Sequence, residues 1–351
     1  MKNSNVELAA MLLVGCFCVK DRELSNEIDF EVHFAPNLLS AIYTAGELGY
    51  GRNPLLKYVD ITAADRLLLQ RSGNLIGFVD GDMGELIFPT YFLPCYLEVA
   101  SAAQYNLYVV ALKEAMQANR FDSFLKRYPV DFTDIFINGN RHFFFQCEAD
   151  WKLHTEPLLP AYFKVLDVFT RYAAQYESSI WPADRQYLQQ QACSFAGYIQ
   201  QYHIVGGWEQ LLGYPILGNH HIYLCRYNNI WADAASVCFY QNQLDGSGYQ
   251  NMVVDIVSHE VGAHLLYREA WLGEELQQVR EQHPEVLYAA YESLVMFYNQ
   301  KVLDRRLTYD LDYYHGKEFL NIYDLLSNLQ LSVVDMLRNA VEQMAPLWNL
   351  S

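Results

Sequence analysis

Two histidines and a glutamate stand in the hexad His259-Glu260-Val261-Gly262-Ala263-His264. The flanks are apolar, Val253-Val254-Asp255-Ile256-Val257 before and Leu265-Leu266-Tyr267 after. Polar groups on such a helix cost free energy unless each has a partner. Imidazole nitrogens are good zinc ligands, and a glutamate beside the first histidine can act as general base toward a metal-bound water. In the HExxH helix the histidines lie one turn apart, but here the spacing is HExxxH. Five residues of regular helix advance about 500°, leaving the imidazoles about 140° apart. A single π-type turn absorbs the extra residue, and Gly262 between the histidines eases that distortion. The spacing therefore predicts a π turn between His259 and His264. The bland alternative is a pair of ordinary helix histidines bonded to their neighbours.

Zinc needs a third protein ligand and an open position for water. Glu292 is the leading candidate, because it is the only charged residue in the apolar run from Val286 to Gln300. A lone carboxylate there calls for a specific partner, and a cation is the obvious one. Glu269, on the same helix as the histidines, is a weaker candidate.

HEVGAH followed one helix later by Glu292 resembles the gluzincin-type zinc metallopeptidases. The HExxxH form is similar to the tubulin tyrosine carboxypeptidase family and its uncharacterised bacterial relatives. The resemblance covers about Tyr214 to Leu303 and stops short of the first 150 residues. It implies that His259, His264 and Glu292 hold Zn²⁺ and that Glu260 is the catalytic base, and it implies a peptide or protein substrate. In zincins an upstream edge strand pairs with the substrate backbone, a role open to Val237–Tyr240 or to His221–Cys225.

Other residues make weaker cases. Tyr313, Tyr314 and His315 form a polar aromatic cluster that could stabilise an oxyanion or contact substrate, or simply form a surface loop. Arg305 and Arg306 could fork a substrate carboxylate, though a solvated charge pair is the plainer reading. Adjacent His220 and His221 on a strand point to opposite faces and do not easily share one ion. Asp80-Gly81-Asp82-Met83-Gly84 superficially resembles a calcium loop but lacks the remaining ligands, so a hairpin turn is expected. GxSxG, P-loop and GxGxxG motifs are missing.

The elements that must position these groups follow from periodicity. Glu27–Phe34 alternates as a half-buried strand, and Leu75–Phe92 reads as two strands about a turn. Leu107–Leu125 reads as helix and Phe132–Cys147 as partly extended. Helices are expected over Pro160–Tyr176, Ala183–Tyr202, Asn251–Trp271 and Pro284–Leu303, with one or two more over Phe319–Leu347. His221–Cys225 and Ala235–Tyr240 read as strands. The fold class is α+β and mainly helical, with a short mixed sheet and the HExxxH helix. Near residue 150 the pattern shifts. Residues 1–150 form a mixed α/β region of unassigned role, and 151–351 form a helical region whose resemblance implies a zincin-like domain.

With 351 residues, 52% hydrophobic and 19% charged, the chain can bury a substantial core without disulfide or metal staples. Its 41 acidic and 24 basic residues give a formal charge of −17, which repels phosphate backbones and argues against nucleic-acid partners. The seven cysteines form no CxxC pair and read as reduced, which favours a cytoplasmic setting. No stretch is apolar and long enough to span a bilayer. Leu13-Val14-Gly15-Cys16 resembles a lipoprotein cleavage box, which gives the alternative of a surface protein anchored through Cys16. A non-catalytic interaction protein, with a structural metal or none, is the competing function.

Overall fold

Ile28 and Phe30 alternate with Asp29 and Glu31, and in the computed structural model these four residues form strand β1 (Ile28–Glu31). The structure describes residues 28–48, 57–79, 82–97, 99–132, 135–213, 220–227, 236–238, 247–267, 270–271, 273–308 and 315–348. In chain order β1 is followed by α1 (Phe34–Ala45), α2 (Ala63–Arg71), α3 (Gly73–Ile76), β2 (Phe78–Val79) and β3 (Asp82–Met83). Next come α4 (Ala102–Ala118), α5 (Asp122–Arg127), α6 (Ile135–Gly139), α7 (Glu148–Asp150), α8 (Leu159–Ser179), α9 (Trp181–Ile199) and α10 (Ile204–Leu212). The chain continues through β4 (His220–Cys225), β5 (Ser236–Cys238), α11 (Ser247–Tyr267), α12 (Gln277–Gln282), α13 (Pro284–Val302), α14 (Gly316–Leu326) and α15 (Val333–Trp348). The protein is mainly helical, as its periodicity predicts. No described helix is long and apolar enough to cross a membrane.

Among the described residues the main sheet is three-stranded, in the order β1-β4-β5, and both pairings are parallel. Ile28 is in register with His220 and Glu31 with Tyr223, while Tyr223 faces Ser236 and Cys225 faces Cys238. The expected mixed sheet is therefore corrected to a parallel one. Among the described residues antiparallel pairing is confined to a separate two-residue ribbon, β2 with β3.

The two strands expected over Leu75–Phe92 are shortened to that ribbon, Phe78–Val79 and Asp82–Met83. Leu75 and Ile76 end a helical turn, and Phe88–Phe92 form a π-helical turn with Pro89 in its first positions. Proline lacks the N–H that a central strand needs, and the bulky side chains are buried by helical packing instead. Asp80 and Gly81, which complete the calcium-like loop, lie outside the described residues. Phe132–Cys147 is likewise helical in its described parts, over Ile135–Gly139 and Arg141–Phe143. Phe143 and Phe144 are buried by edge-on contact with Phe88 and Phe121, not by strand pairing.

Buried side chains form two apolar clusters. One runs from Phe34 through Trp181 and takes in Tyr223 and Tyr227; the other runs from Leu188 to Met344. The changeover falls within α9, beyond the composition shift near residue 150. Strand β4 joins the clusters: Tyr223 packs in the first, while Ile222 and Leu224 pack in the second. Asn37 of α1 fixes that strand, donating from Nδ2 to the Leu224 carbonyl at 2.9 Å and accepting the Arg226 N–H at 2.9 Å. The HExxxH motif lies on α11, at the centre of the second cluster.

Candidate metal and catalytic site

Helix α11 is apolar enough to be buried on most sides, yet it carries Asp255, Ser258, His259 and Glu260 into the core. Each described partner is specific. Asp255 is fully buried and pairs with the Arg305 guanidinium, while its Oδ2 accepts the Thr308 N–H at 2.7 Å. Ser258 receives the Trp208 indole N–H of α10, at 3.1 Å on its carbonyl and 3.2 Å on its hydroxyl. His259 Nε2 lies 3.1 Å from Glu292 Oε2 on α13. Both side chains are about nine-tenths buried, with exposures of 10% and 8%.

Helix α13 carries Glu292 into the core among apolar neighbours that include Ala289, Leu294, Val295 and Met296. Pro284 opens the helix at its first position, where a missing N–H costs nothing. Side chains of α13 also brace α11. Tyr291 Oη donates to the Ala263 carbonyl at 2.5 Å, and Asn299 Nδ2 donates to the Asp255 carbonyl at 2.8 Å.

His264 occupies a different face. Its ring stands nearly perpendicular to that of His220 on β4, with centroids 6.1 Å apart. The two motif histidines thus have separate neighbours, His259 with Glu292 and His264 with His220. Glu260, 4% exposed, follows His259 directly and lies one helical turn before His264. Among the described residues no three His, Cys, Asp or Glu side chains form a group that could hold a metal ion.

The expected π turn is not formed. Helix α11 is a regular α-helix from Ser247 to Tyr267. Gly262 serves another purpose: a Cβ placed on it would meet Trp208 Cζ2 at 2.0 Å. The glycine admits the indole against the helix backbone. In this register His264 stands about 140° round the axis from His259. The donor set fits zinc in kind, with His259 and Glu292 already together, and the turn must widen by one residue for His264 to join them.

The remaining candidates fall elsewhere. Tyr313, Tyr314 and Glu269 lie outside the described residues. His315 precedes α14 in the left-handed region, φ 53°, with its ring 5.0 Å from that of Trp348. Arg305 is committed to Asp255 and to the Asn251 carbonyl at 3.2 Å, so the solvated-pair reading of Arg305 and Arg306 is corrected for Arg305. Arg305 is drawn in because Asp255 is buried. Strand β4 lies between β1 and β5, so it offers no edge to a substrate; among the described residues β5 is the outer strand, and residues 239 and 240 of the expected edge lie outside them.

Sequence reasoning missed Asp255, Trp208 and the approach of His220 to His264. Asp255 had a signal, since it lies one turn before His259 in an apolar run. Trp208 and His220 had none, because both contacts join residues more than forty positions apart. No protein-family model, curated protein or solved structure matches the chain.

Proposed function

We propose that the chain is a zinc-dependent peptidase acting on a peptide or protein substrate. The observation that supports this most is the buried approach of His259 Nε2 to Glu292 Oε2, 3.1 Å apart between two apolar helices. An imidazole and a carboxylate are both ligand types for zinc, and here the two lie together in the core. His259, His264 and Glu292 are assigned as zinc ligands. Zinc, when bound, acidifies a water and polarises the scissile carbonyl. Glu260, the buried neighbour of His259, would serve as general base, accepting a proton from the attacking water and returning it to the leaving amine. The edge of β5 is assigned to pair with the substrate backbone.

The test is Glu260→Gln, which keeps the shape but cannot accept the proton. Zinc content is expected to stay near that of the parent while peptide hydrolysis falls by about 10²-fold or more. Hydrolysis at the parental rate would overturn the mechanism. The unwidened turn between His259 and His264 favours a second reading, a non-catalytic interaction protein whose buried polar residues are satisfied in place. Purified parent protein without zinc, and without hydrolysis when zinc is supplied, would establish that reading instead.

A further inference from the structure

We infer that Cys225 and Cys238 form a reversible disulfide that staples the outer strand β5 to β4, made and broken by exchange with a small disulfide of the glutathione type. The inference is independent of the zinc reading above.

Three cysteines far apart in sequence are brought together at the C-terminal end of β4. Cys225 ends β4, Cys238 ends β5, and the two are Cα partners in the parallel ladder. Neighbouring strands run about 4.8 Å apart, inside the range of about 4.4–6.8 Å over which two Cα atoms can carry a disulfide. Both residues stand at strand ends, so the closer approach a disulfide asks of the Cβ atoms disturbs no ladder beyond them. Alternation along β4 fixes the face. Ile222 and Leu224 pack in the second apolar cluster and Tyr223 in the first, so position 225 follows Tyr223. Register partners on adjacent strands share a face, which puts position 238 on the same side. Cys95, in the turn Leu93–Tyr96, belongs to the first cluster and is the third of the group. Burial, together with the neighbouring Cys225, pushes the Cys95 thiol well above its ordinary value. A thiol held protonated is a poor nucleophile, which sets Cys95 apart from the exchange.

The exchange balances in two steps. The Cys238 thiolate, on the outer strand, attacks the small disulfide, forms a mixed disulfide and expels one small thiol. The Cys225 thiolate then attacks the Cys238 sulfur and expels the second. Two thiol protons and two electrons pass to the small disulfide, which leaves as two thiols. Cys225 is 1% exposed, which suits the second step, because the neighbouring strand delivers the sulfur it attacks. Oxidation fixes β5 against β4; reduction leaves it on the ladder from Ser236 to Cys238.

The test uses the full chain, reduced with dithiothreitol, desalted, and incubated in the folded state with oxidised glutathione. Remaining thiols are alkylated and the peptides mapped without reduction. The expected result is a peptide pair joined between Cys225 and Cys238 and lost again on dithiothreitol. The oxidised protein should also show a higher urea midpoint than the reduced one. Cys95→Ser should keep the link, while Cys238→Ser should abolish both the link and the midpoint shift. Cys225 recovered in the parent as an alkylated thiol, or joined to Cys95 or to glutathione, would overturn the inference. A link without a midpoint shift, or a shift that persists in Cys238→Ser, would overturn the staple. The parent map decides even where a variant fails to fold.

Discussion

Gly262→Ala tests the packing around the motif without any assumption about metal. An alanine Cβ would lie 2.0 Å from Trp208 Cζ2, 2.3 Å from Cη2 and 2.8 Å from Cε2. Comfortable carbon contacts are about 3.5–4.0 Å, so the ring must retreat by about 1.5 Å. It has little freedom to do so. Trp208 is fully buried, bonded through Nε1 to Ser258, and edge-on to Tyr298 at 6.5 Å. Overpacking costs about 1–3 kcal/mol. Pulling the indole N–H from its acceptors costs about 1–3 kcal/mol more. Alanine returns about 1 kcal/mol through its better helix propensity. A net destabilisation of about 3 kcal/mol follows from these terms. The control is Gly197→Ala on α9, where a Cβ meets nothing within 4 Å. That change should stabilise by up to about 1 kcal/mol. Urea unfolding followed by circular dichroism measures both. If Gly262→Ala shifts the midpoint upward as Gly197→Ala does, the contact with Trp208 is not what the glycine is for.

Three further outcomes are expected. Burial pushes the Asp184 carboxyl up to about 6 from an ordinary 3.8, partly opposed by Tyr227 and Arg226. Because the folded value is the higher one, this group's contribution to stability is fully present below about pH 4 and is lost as pH rises through about 6. Asp184→Asn should remove that slope, so the unfolding free energies of parent and variant, compared from about pH 4 to 7, should change relative to each other by up to about 3 kcal/mol; parallel profiles would refute it. Arg305→Met leaves the Asp255 carboxylate buried with the Thr308 N–H, and should cost about 3 kcal/mol in urea unfolding. Adding Asp255→Asn should recover much of that loss, and a double variant no more stable than the single one would contradict the ion pair's role.

What the sequence could show was set by whether the signal was local. The helices over Pro160–Tyr176 and Pro284–Leu303 were readable because their apolar residues repeat with helical period and prolines stand at their starts. That His259 and Glu292 each need a partner was readable because each is polar in an apolar helix, but their direct hydrogen bond was not, since the sequence pointed to a cation as the partner of Glu292. Helix register was not readable. Gly262 allows a π turn and equally allows an indole to approach, and only the fold shows Trp208 there. The run Leu75–Phe92 misled because aromatic and aliphatic residues suit a strand by composition, while Pro89 and the burial of Phe88, Tyr91 and Phe92 favour a tight helical turn. The parallel order of β1, β4 and β5 depends on residues about 190 positions apart and leaves no mark in any short window.

Zinc stoichiometry across variants shows whether His259, His264 and Glu292 hold the metal. Parent protein and the variants His259→Ala, His264→Ala and Glu292→Gln would be purified with zinc present, dialysed together and analysed for metal. About one zinc per parent chain is expected, with loss in either histidine variant and weakened retention in Glu292→Gln. A parent without zinc, or histidine variants that both keep a full equivalent, would contradict the assignment.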